Sequence, residues 1–144
     1  MNGPRRIGLV GCVKQKRSIA ARARDLYTSP LFLGRLAYVE RTCGRWFILS
    51  AEHGLLEPDR VVEPYDRTLL RMSVADRRAW SDRVLADLLA AVGPVEGVVF
   101  EFHAGAAYRD RLAPALRERG AAISNPTEGL SIGLQLRLYG SAGS

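Results

Sequence analysis

The stretch RWFILSAEHGLLEPDRVVEPYDRTL, residues 45–69, joins an apolar strand-like segment to a long polar excursion. Its first part, Arg45–Ala51, has three counterparts elsewhere in the chain, which are Ile7–Val13, Gly97–His103 and Ala121–Ser124. As a group these segments are short and rich in β-branched and aromatic residues, a composition typical of strands that are covered on both faces. The sequence therefore predicts four strands in a buried sheet.

Helical periodicity separates these strands. Ser29 and Pro30 supply a cap and a first-turn proline, and Ser73 with Asp76 resembles a capping box. The predicted helices cover Leu31–Thr42, residues 73–92, residues 106–119 and a last segment that begins near Thr127. Alternating strands and helices predict an α/β protein, a three-layer sandwich around a mostly parallel central sheet of about four strands. We expect one domain over residues 1–140 and a flexible tail at residues 141–144.

Composition and charge narrow the class of protein. Apolar residues make up 47% of the chain, yet no apolar run approaches the ~20 residues that span a bilayer. We expect no signal peptide before the first strand, and Cys12 and Cys43 form neither a metal-ligand spacing nor a disulfide framework. These features favour a cytoplasmic protein with no membrane partner, and they call for no metal and no cofactor.

The formal charge is +6, with a pI near 9.9, and basic residues cluster between positions 14 and 24. Such a cluster is typical of proteins with a phosphate-bearing partner. A solvated basic face explains it equally well.

Ligands of parallel α/β sheets bind beyond the carboxyl ends of the strands, near the point where the strand order reverses. Four short stretches fall at these ends, and they hold most of the unusual polar residues. They are GCVKQK at 11–16, SAEHGLL at 50–56, FHAGAAY at 102–108 and NPTEGLS at 125–131. We therefore expect the functional site at this edge of the sheet.

The first edge combines Cys12 with Lys14 and Lys16, and Arg17 follows. Lysines and free backbone N–H groups after a strand can hold a phosphate or a carboxylate, although the P-loop spacing is absent. Cys12 is either a nucleophile or a small buried thiol at the end of the strand, and the buried thiol is favoured.

Asp25 and Tyr27 lie farther along the same connection, close to the cap of the next helix. They are candidate substrate-binding residues. Helix-end electrostatics and packing are the alternative roles for both.

The second edge opens the excursion, which is longer than most loops of compact domains and too apolar for disorder. Two prolines stiffen it, so it can present Glu52, His53, Tyr65 and Asp66 above the sheet edge. His53 suits proton transfer because histidine titrates near neutral pH. A histidine bound only to backbone is the alternative.

The third edge contains Glu101 within an apolar strand. A carboxylate there is costly unless it is paired or lies at the mouth of a cleft, and burial would raise its pKa as general acid–base catalysis requires. An ion pair with one of the arginines is an equal alternative.

The stretch ILSAEHGLL, residues 48–56, with Pro58, Pro64 and Tyr65, resembles the signature of the YaaA family of bacterial peroxide-stress proteins. Most of the chain is similar to a family of small bacterial domains of unknown function. That similarity rests on Cys12 with Lys14 and Lys16, on Asp25–Ser29 and on Gly133–Leu136.

The loop with Cys12 and the two lysines is also similar, more distantly, to the catalytic domain of archaeosine synthase, which acts on a deazapurine in tRNA. The Lys-Pro-Tyr-Ser continuation of that enzyme is missing after Lys16. Together these resemblances imply DNA or RNA and modified bases, although a shared fold does not determine function.

We favour an enzyme that acts on a nucleotide or a nucleic-acid base, by hydrolysis of an N-glycosidic bond. The candidate catalytic residues are Glu52, His53, Asp66 and Glu101. The candidate substrate-binding residues are Cys12, Lys14, Lys16, Arg17, Asp25, Tyr27 and Tyr65. The alternatives are a non-catalytic DNA- or RNA-binding domain and, third, an enzyme that transfers an amino group onto a modified base. The sequence leaves a homodimer open.

Overall fold

Seven strands are present in a computed structural model of the protein, which describes residues 4–13 and 16–142. They are β1 Arg6–Gly11, β2 Ala21–Arg22, β3 Arg45–Ser50, β4 Gly54–Leu56, β5 Val61–Val62, β6 Val99–His103 and β7 Ala122–Ser124. Five of them form the central sheet in the order β4-β3-β1-β6-β7, and β2 and β5 form a separate two-stranded ribbon. Strands β3, β1, β6 and β7 are parallel. The predicted α/β fold with a mostly parallel sheet is confirmed.

Strand β4 is the sheet strand that the sequence did not predict. It runs antiparallel to β3, with Leu55 opposite Leu49. The chain reverses at Gly54, whose φ of 70° is readily adopted only by glycine. The excursion therefore begins as a hairpin on the edge of the sheet.

In the described part of the chain, six α-helices and one 3₁₀ turn surround the sheet. They are α1 Ala23–Leu26, α2 Pro30–Thr42, the turn Leu69–Arg71, α3 Val74–Val92, α4 Ala106–Arg109, α5 Leu112–Glu118 and α6 Ile132–Ala142. Helices α2 and α6 pack together, and α3 packs with α5. The buried side chains of α2 join those of β1 and β3 in one apolar cluster, and those of α3 and α5 join a second cluster with the sheet. This arrangement gives three layers.

The two longest helices start where the sequence predicts. The Ser29 hydroxyl accepts a hydrogen bond from the Phe32 N–H at 3.1 Å, and Ser73 does the same for Asp76 at 3.1 Å. Each hydroxyl satisfies an N–H group that has no partner inside its helix. The long helix ends at Gly93, whose φ is 82°.

The third predicted helix is broken into α4 and α5. Pro114 has no N–H, and its ring would clash with the carbonyl of Asp110 in a continuous helix. The chain therefore breaks at Asp110 and Arg111, and Pro114 falls in the first turn of α5, where a proline is tolerated.

The last helix begins at Ile132 rather than near Thr127. Its cap is Ser131, whose hydroxyl accepts a hydrogen bond from the Leu134 N–H at 3.3 Å. Helix α6 extends to Ala142, and the domain and tail boundaries stay a prediction. Among the described helices, none combines the length and the apolar character needed to cross a membrane.

Candidate functional site

The strand order reverses beside β1. The chain passes from β1 to β3 on one side and later enters β6 on the other. Cys12 follows β1 directly, and its N–H donates to the Leu49 carbonyl at 3.0 Å. Its sulfur lies 3.2 Å from the hydroxyl of Tyr108, which is in the helix after β6. The first and third edges therefore meet at Cys12, at the place where the rule for parallel sheets expects a ligand.

Lys16 connects the first edge to the excursion. Its ammonium nitrogen lies 4.5 Å from the centre of the Tyr65 ring and 5.7 Å from that of Tyr27, which allows cation–π attraction. Burial lowers the pKa of Lys16, and electrostatic interactions with Cys12 and Asp66 act in the opposite direction. Lys16, Cys12, Tyr65 and Asp66 thus form one electrostatic group.

A chain of hydroxyl groups fixes the orientation of Tyr65. The Ser50 hydroxyl donates to the Tyr65 oxygen at 2.9 Å, and the hydroxyls of Tyr65 and Tyr27 share a hydrogen bond. The backbone N–H of His53 donates to the Ser50 hydroxyl at 3.0 Å. Burial raises the pKa of both tyrosines, so both stay protonated at neutral pH. These hydroxyls position the ring and do not act as bases.

The excursion is tied to the segment that follows β1. Val61 and Val62 pair antiparallel with Arg22 and Ala21 to form the β2–β5 ribbon. Beside it, the Ala23 N–H donates to the Arg60 carbonyl at 2.7 Å. This ribbon brings the Lys16 and Tyr65 segments together, and it explains why the excursion is long and apolar.

The polar residues of the excursion have different surroundings. The His53 ring meets the Tyr65 ring edge-on, with 5.4 Å between centres, and burial followed by the charge of Arg60 lowers the pKa of His53. Glu52 lies 3.8 Å from Arg67 at the periphery. Asp66 is exposed, and its charge acts on Lys16. Asp66 is therefore the carboxylate most closely linked to the site.

Glu101 is buried, with 1% of its surface exposed. Its carboxylate accepts hydrogen bonds from Arg6 at 2.7 Å, from His103 at 2.7 Å and from the Thr42 hydroxyl at 3.1 Å. Burial raises the pKa of Glu101, but the bonds from His103 and Arg6 outweigh burial and lower the pKa to about 2. Glu101 is thus ionised and fully engaged in an ion pair, so we assign it a structural role.

The hydrogen bonds of Glu101 continue through His103 to α2. The other ring nitrogen of His103 lies 2.8 Å from the Tyr139 hydroxyl, and Tyr139 is hydrogen-bonded to Arg35. Arg35 donates to the carbonyl of Gly11, the last residue of β1, at 3.2 Å. A buried polar network therefore runs from Glu101 to the carboxyl end of β1.

The family model of DUF6884, described as a family of unknown function, matches residues 7–141. The chain belongs to this family. Neither the curated proteins nor the solved structures include a match to it.

Three of the predicted substrate-binding residues in this DUF6884 member have local roles. Arg17 donates from Nε to the backbone carbonyl of Asp25 at 2.7 Å, and the Asp25 carboxylate pairs with Arg22 at 3.0 Å. Tyr27 is 1% exposed and packs against Phe32, so its ring offers no free face for stacking. Lys14 lies outside the described residues.

Four residues around the candidate site were not predicted, namely Arg35, Ser50, Tyr108 and Tyr139. Of these four residues, Arg35 is the one that the sequence indicates most clearly. It lies three residues after Phe32 and four before Val39, within the apolar stripe of α2. An arginine in that stripe must be buried or must interrupt the packing of the helix.

Two surface cavities flank these groups. One of about 260 Å³ is lined by Ala51, Arg67, Met72, Asp76, Ala79, Trp80 and Arg83. The other, of about 170 Å³, is lined by Arg109, Asp110, Ala113, Pro114, Arg117, Asn125 and Glu128. Each contains two arginines. Within residues 4–13 and 16–142, no three His, Cys, Asp or Glu side chains are grouped closely enough to hold a metal ion.

Proposed function

We propose that this protein is an enzyme that acts on a nucleotide or a nucleic-acid base and hydrolyses an N-glycosidic bond. The observation that carries the proposal is the group at the switch point. There, partly desolvated Lys16 lies over the Tyr65 ring and interacts electrostatically with Cys12 and Asp66. The resemblance of residues 48–65 to the YaaA signature also supports a nucleic-acid substrate.

Asp66 best meets the chemical requirement of the reaction. Cleavage of an N-glycosidic bond passes through an oxocarbenium-like state, which needs a carboxylate to stabilise the sugar or to activate water. Asp66 is exposed, so both water and substrate can reach it. Glu101 is buried and ion-paired, and Glu52 lies against Arg67. His53 is the candidate proton acceptor, since its lowered pKa keeps the imidazole neutral at pH 7.

Lys16 and Tyr65 supply the binding groups. Lys16 offers a positive charge to a phosphate, and the half-buried Tyr65 ring offers a surface for a base. The hydroxyl chain through Ser50 holds the Tyr65 ring in one orientation, so little side-chain entropy is left to lose on binding. A base within a duplex would have to be flipped out to reach this group.

The test is release of free base. The protein is incubated with nucleotides and with single- and double-stranded DNA and RNA, and products are analysed by mass spectrometry. Asp66→Asn should lower the rate by roughly 10²- to 10⁴-fold, because it removes the charge that assists the chemical step.

Asp59→Asn is the matched control. Asp59 lies in the same excursion and is exposed, at 3.5 Å from Arg22, so this variant should retain wild-type turnover. No released base from any substrate, or equal loss in the two variants, would contradict the proposal.

A second candidate function is a non-catalytic DNA- or RNA-binding domain. The charge of +6 and the paired arginines in both cavities favour it. Saturable binding to a strand without any product would support this function instead. A product of increased mass, with no free base, would indicate transfer of an amino group.

A further inference from the structure

Arg35 is a buried cation without a buried anion beside it. Its exposed fraction is 7%. In the part of the chain that the structure describes, no ion pair joins Arg35 to an aspartate or a glutamate. Burial lowers the pKa of Arg35, yet an arginine stays protonated in proteins. The charge is therefore present and uncompensated.

The known partners of Arg35 are neutral. One guanidinium nitrogen donates to the Gly11 carbonyl at 3.2 Å, and Tyr139 accepts a further hydrogen bond. The Nε–H group is buried and has no acceptor among the described residues. A desolvated charge costs several kcal/mol unless an opposite charge and complete hydrogen bonding offset it, and the described residues supply neither to Arg35.

The position of Arg35 is that of a ligand-binding residue. Gly11 ends β1, and a Cβ atom on Gly11 would lie 2.8 Å from the Cβ of Ala104, which follows β6. The two strands are therefore packed too closely for a side chain on Gly11, and Arg35 reaches the carboxyl end of β1 through its hydrogen bond to the Gly11 carbonyl. Its charge also interacts with Cys12 and Tyr108, both of which belong to the proposed active site.

The surrounding residues hold Arg35 in a fixed orientation. Gly34 allows α6 to approach α2 closely, because a Cβ atom there would lie 2.8 Å from the Cβ of Tyr139. Tyr139 is held by His103, and His103 is held by Glu101. The charge of Glu101 is itself neutralised by Arg6. The network therefore orients the guanidinium and leaves its charge for a ligand.

Two further buried acceptors lie in α6 and in the segment that precedes it. Besides the Nε of Arg35, the buried side-chain atoms without a partner in the described residues are the carbonyl oxygens of Asn125 and Gln135. Gln135 lies one helical turn before Tyr139. Asn125 lies two residues before Thr127, whose side chain is hydrogen-bonded to Tyr139. The Nε–H of Arg35 lacks an acceptor and these two oxygens lack donors, and a nucleotide carries both an anionic group and N–H or O–H donors.

We propose that Arg35 is the centre of an oxyanion site at the carboxyl end of β1 and that it binds the phosphate group of the substrate. The fork of Nε–H and Nη–H donors matches two oxygens of one phosphate. That this phosphate belongs to a nucleotide rests on the proposed function. The anion site itself does not depend on turnover.

The first experiment measures thermal unfolding of the full chain in sodium phosphate and in sodium chloride of equal ionic strength. The wild-type Tm should rise with phosphate concentration, by roughly 5–10 °C at 100 times the Kd. Arg35→Met should abolish this rise, and the exposed Arg78→Met is the matched control that should retain it.

A structural role for Arg35 gives a different pattern. Arg35→Met would then lower the Tm equally in phosphate and in chloride, and the wild-type protein would unfold at the same temperature in both. That result would overturn the proposal. Arg35→Lys replaces the methionine variant if that variant does not fold, because lysine keeps the charge but not the forked pair of donors. The phosphate concentration needed for a given rise in Tm should then increase at least tenfold.

Calorimetric titrations identify the source of the phosphate. The ligands are a nucleoside, its 5′-monophosphate and a dinucleotide with one phosphodiester. The monophosphate or the dinucleotide should bind more tightly than the nucleoside to wild type but not to Arg35→Met. Asp66→Asn should retain this difference, so the anion site remains testable even if no glycosidic bond is ever cleaved. Equal binding of all three ligands to wild type would contradict the proposal.

Discussion

At the scale of single residues, environment divides the acidic side chains into two groups. Glu101 is enclosed by donors from Arg6, His103 and Thr42, whereas Asp66 faces solvent and is coupled to Lys16. A carboxylate whose acceptor positions are all occupied stabilises the fold, and one that remains open to water can take part in chemistry. From the sequence alone, Glu101 and Asp66 were both candidate catalytic carboxylates.

We expect Glu101→Gln to lower the free energy of unfolding by roughly 3 kcal/mol, because it removes the charge that pairs with partly exposed Arg6 and accepts a hydrogen bond from buried His103. Urea denaturation measures this change. The exposed Glu118→Gln is the control and should change stability by less than about 0.5 kcal/mol. Equal effects of the two substitutions would show that the network contributes nothing.

The pH dependence identifies the charge of Glu101 as the cause. Its pKa falls from an ordinary value of 4.5 to about 2 on folding, so its contribution is complete above pH 4.5 and is lost as the pH falls toward 2. The shift corresponds to roughly 3 kcal/mol. The wild-type protein should lose this amount between pH 4.5 and 2, and Glu101→Gln should lose correspondingly less. Parallel pH profiles would contradict the assignment.

At the scale of elements, glycines decide how closely the helices approach. Gly34 lies in α2 against Tyr139 of α6, and a Cβ at this position would be 2.8 Å from the Cβ of Tyr139. Gly133, in α6, has no atom within 4 Å of such a Cβ. The same substitution should therefore have opposite effects at the two positions.

We expect Gly34→Ala to destabilise the protein by about 1–3 kcal/mol, because the overlap with α6 exceeds the gain in helix propensity. Gly133→Ala should stabilise it by up to about 1 kcal/mol. Thermal denaturation of both variants checks the two signs. A stabilising Gly34→Ala would mean that α6 can move away without loss.

At the scale of the whole molecule, the positive charge should govern binding to nucleic acid. Arg67 and Arg83 line the larger cavity, at the same edge of the sheet as the proposed active site. Each arginine that contacts a phosphate of a single strand contributes about 0.7 to the slope of log K against log salt concentration.

We expect the double variant Arg67→Gln, Arg83→Gln to reduce that slope by about 1.4 for a single-stranded oligonucleotide, as measured by fluorescence anisotropy. Arg78→Gln should change only the long-range attraction and leave the slope nearly unchanged. Identical slopes for the wild type and the double variant would place the strand elsewhere on the protein.

The alternation of strands and helices was enough to predict the layers, the parallel sheet and the edge at which the polar residues gather. The hydrogen-bond partners of those residues could not be predicted from the sequence, because they come from distant parts of the chain. Arg6 and Glu101 are 95 residues apart, and Cys12 and Tyr108 are 96 residues apart. The break in the third predicted helix is indicated by Pro114 itself, because a proline disrupts the interior of a helix. Only the packing of α2 reveals that Arg35 is buried.

The short β2–β5 ribbon links two segments that are distant in sequence. One carries Lys16 and the other carries Tyr65, and they share the same backbone hydrogen bonds. Displacing either segment breaks backbone hydrogen bonds that also hold the other, so a ligand that moves one segment loosens both. Movements of the two segments during ligand entry are therefore expected to be coupled.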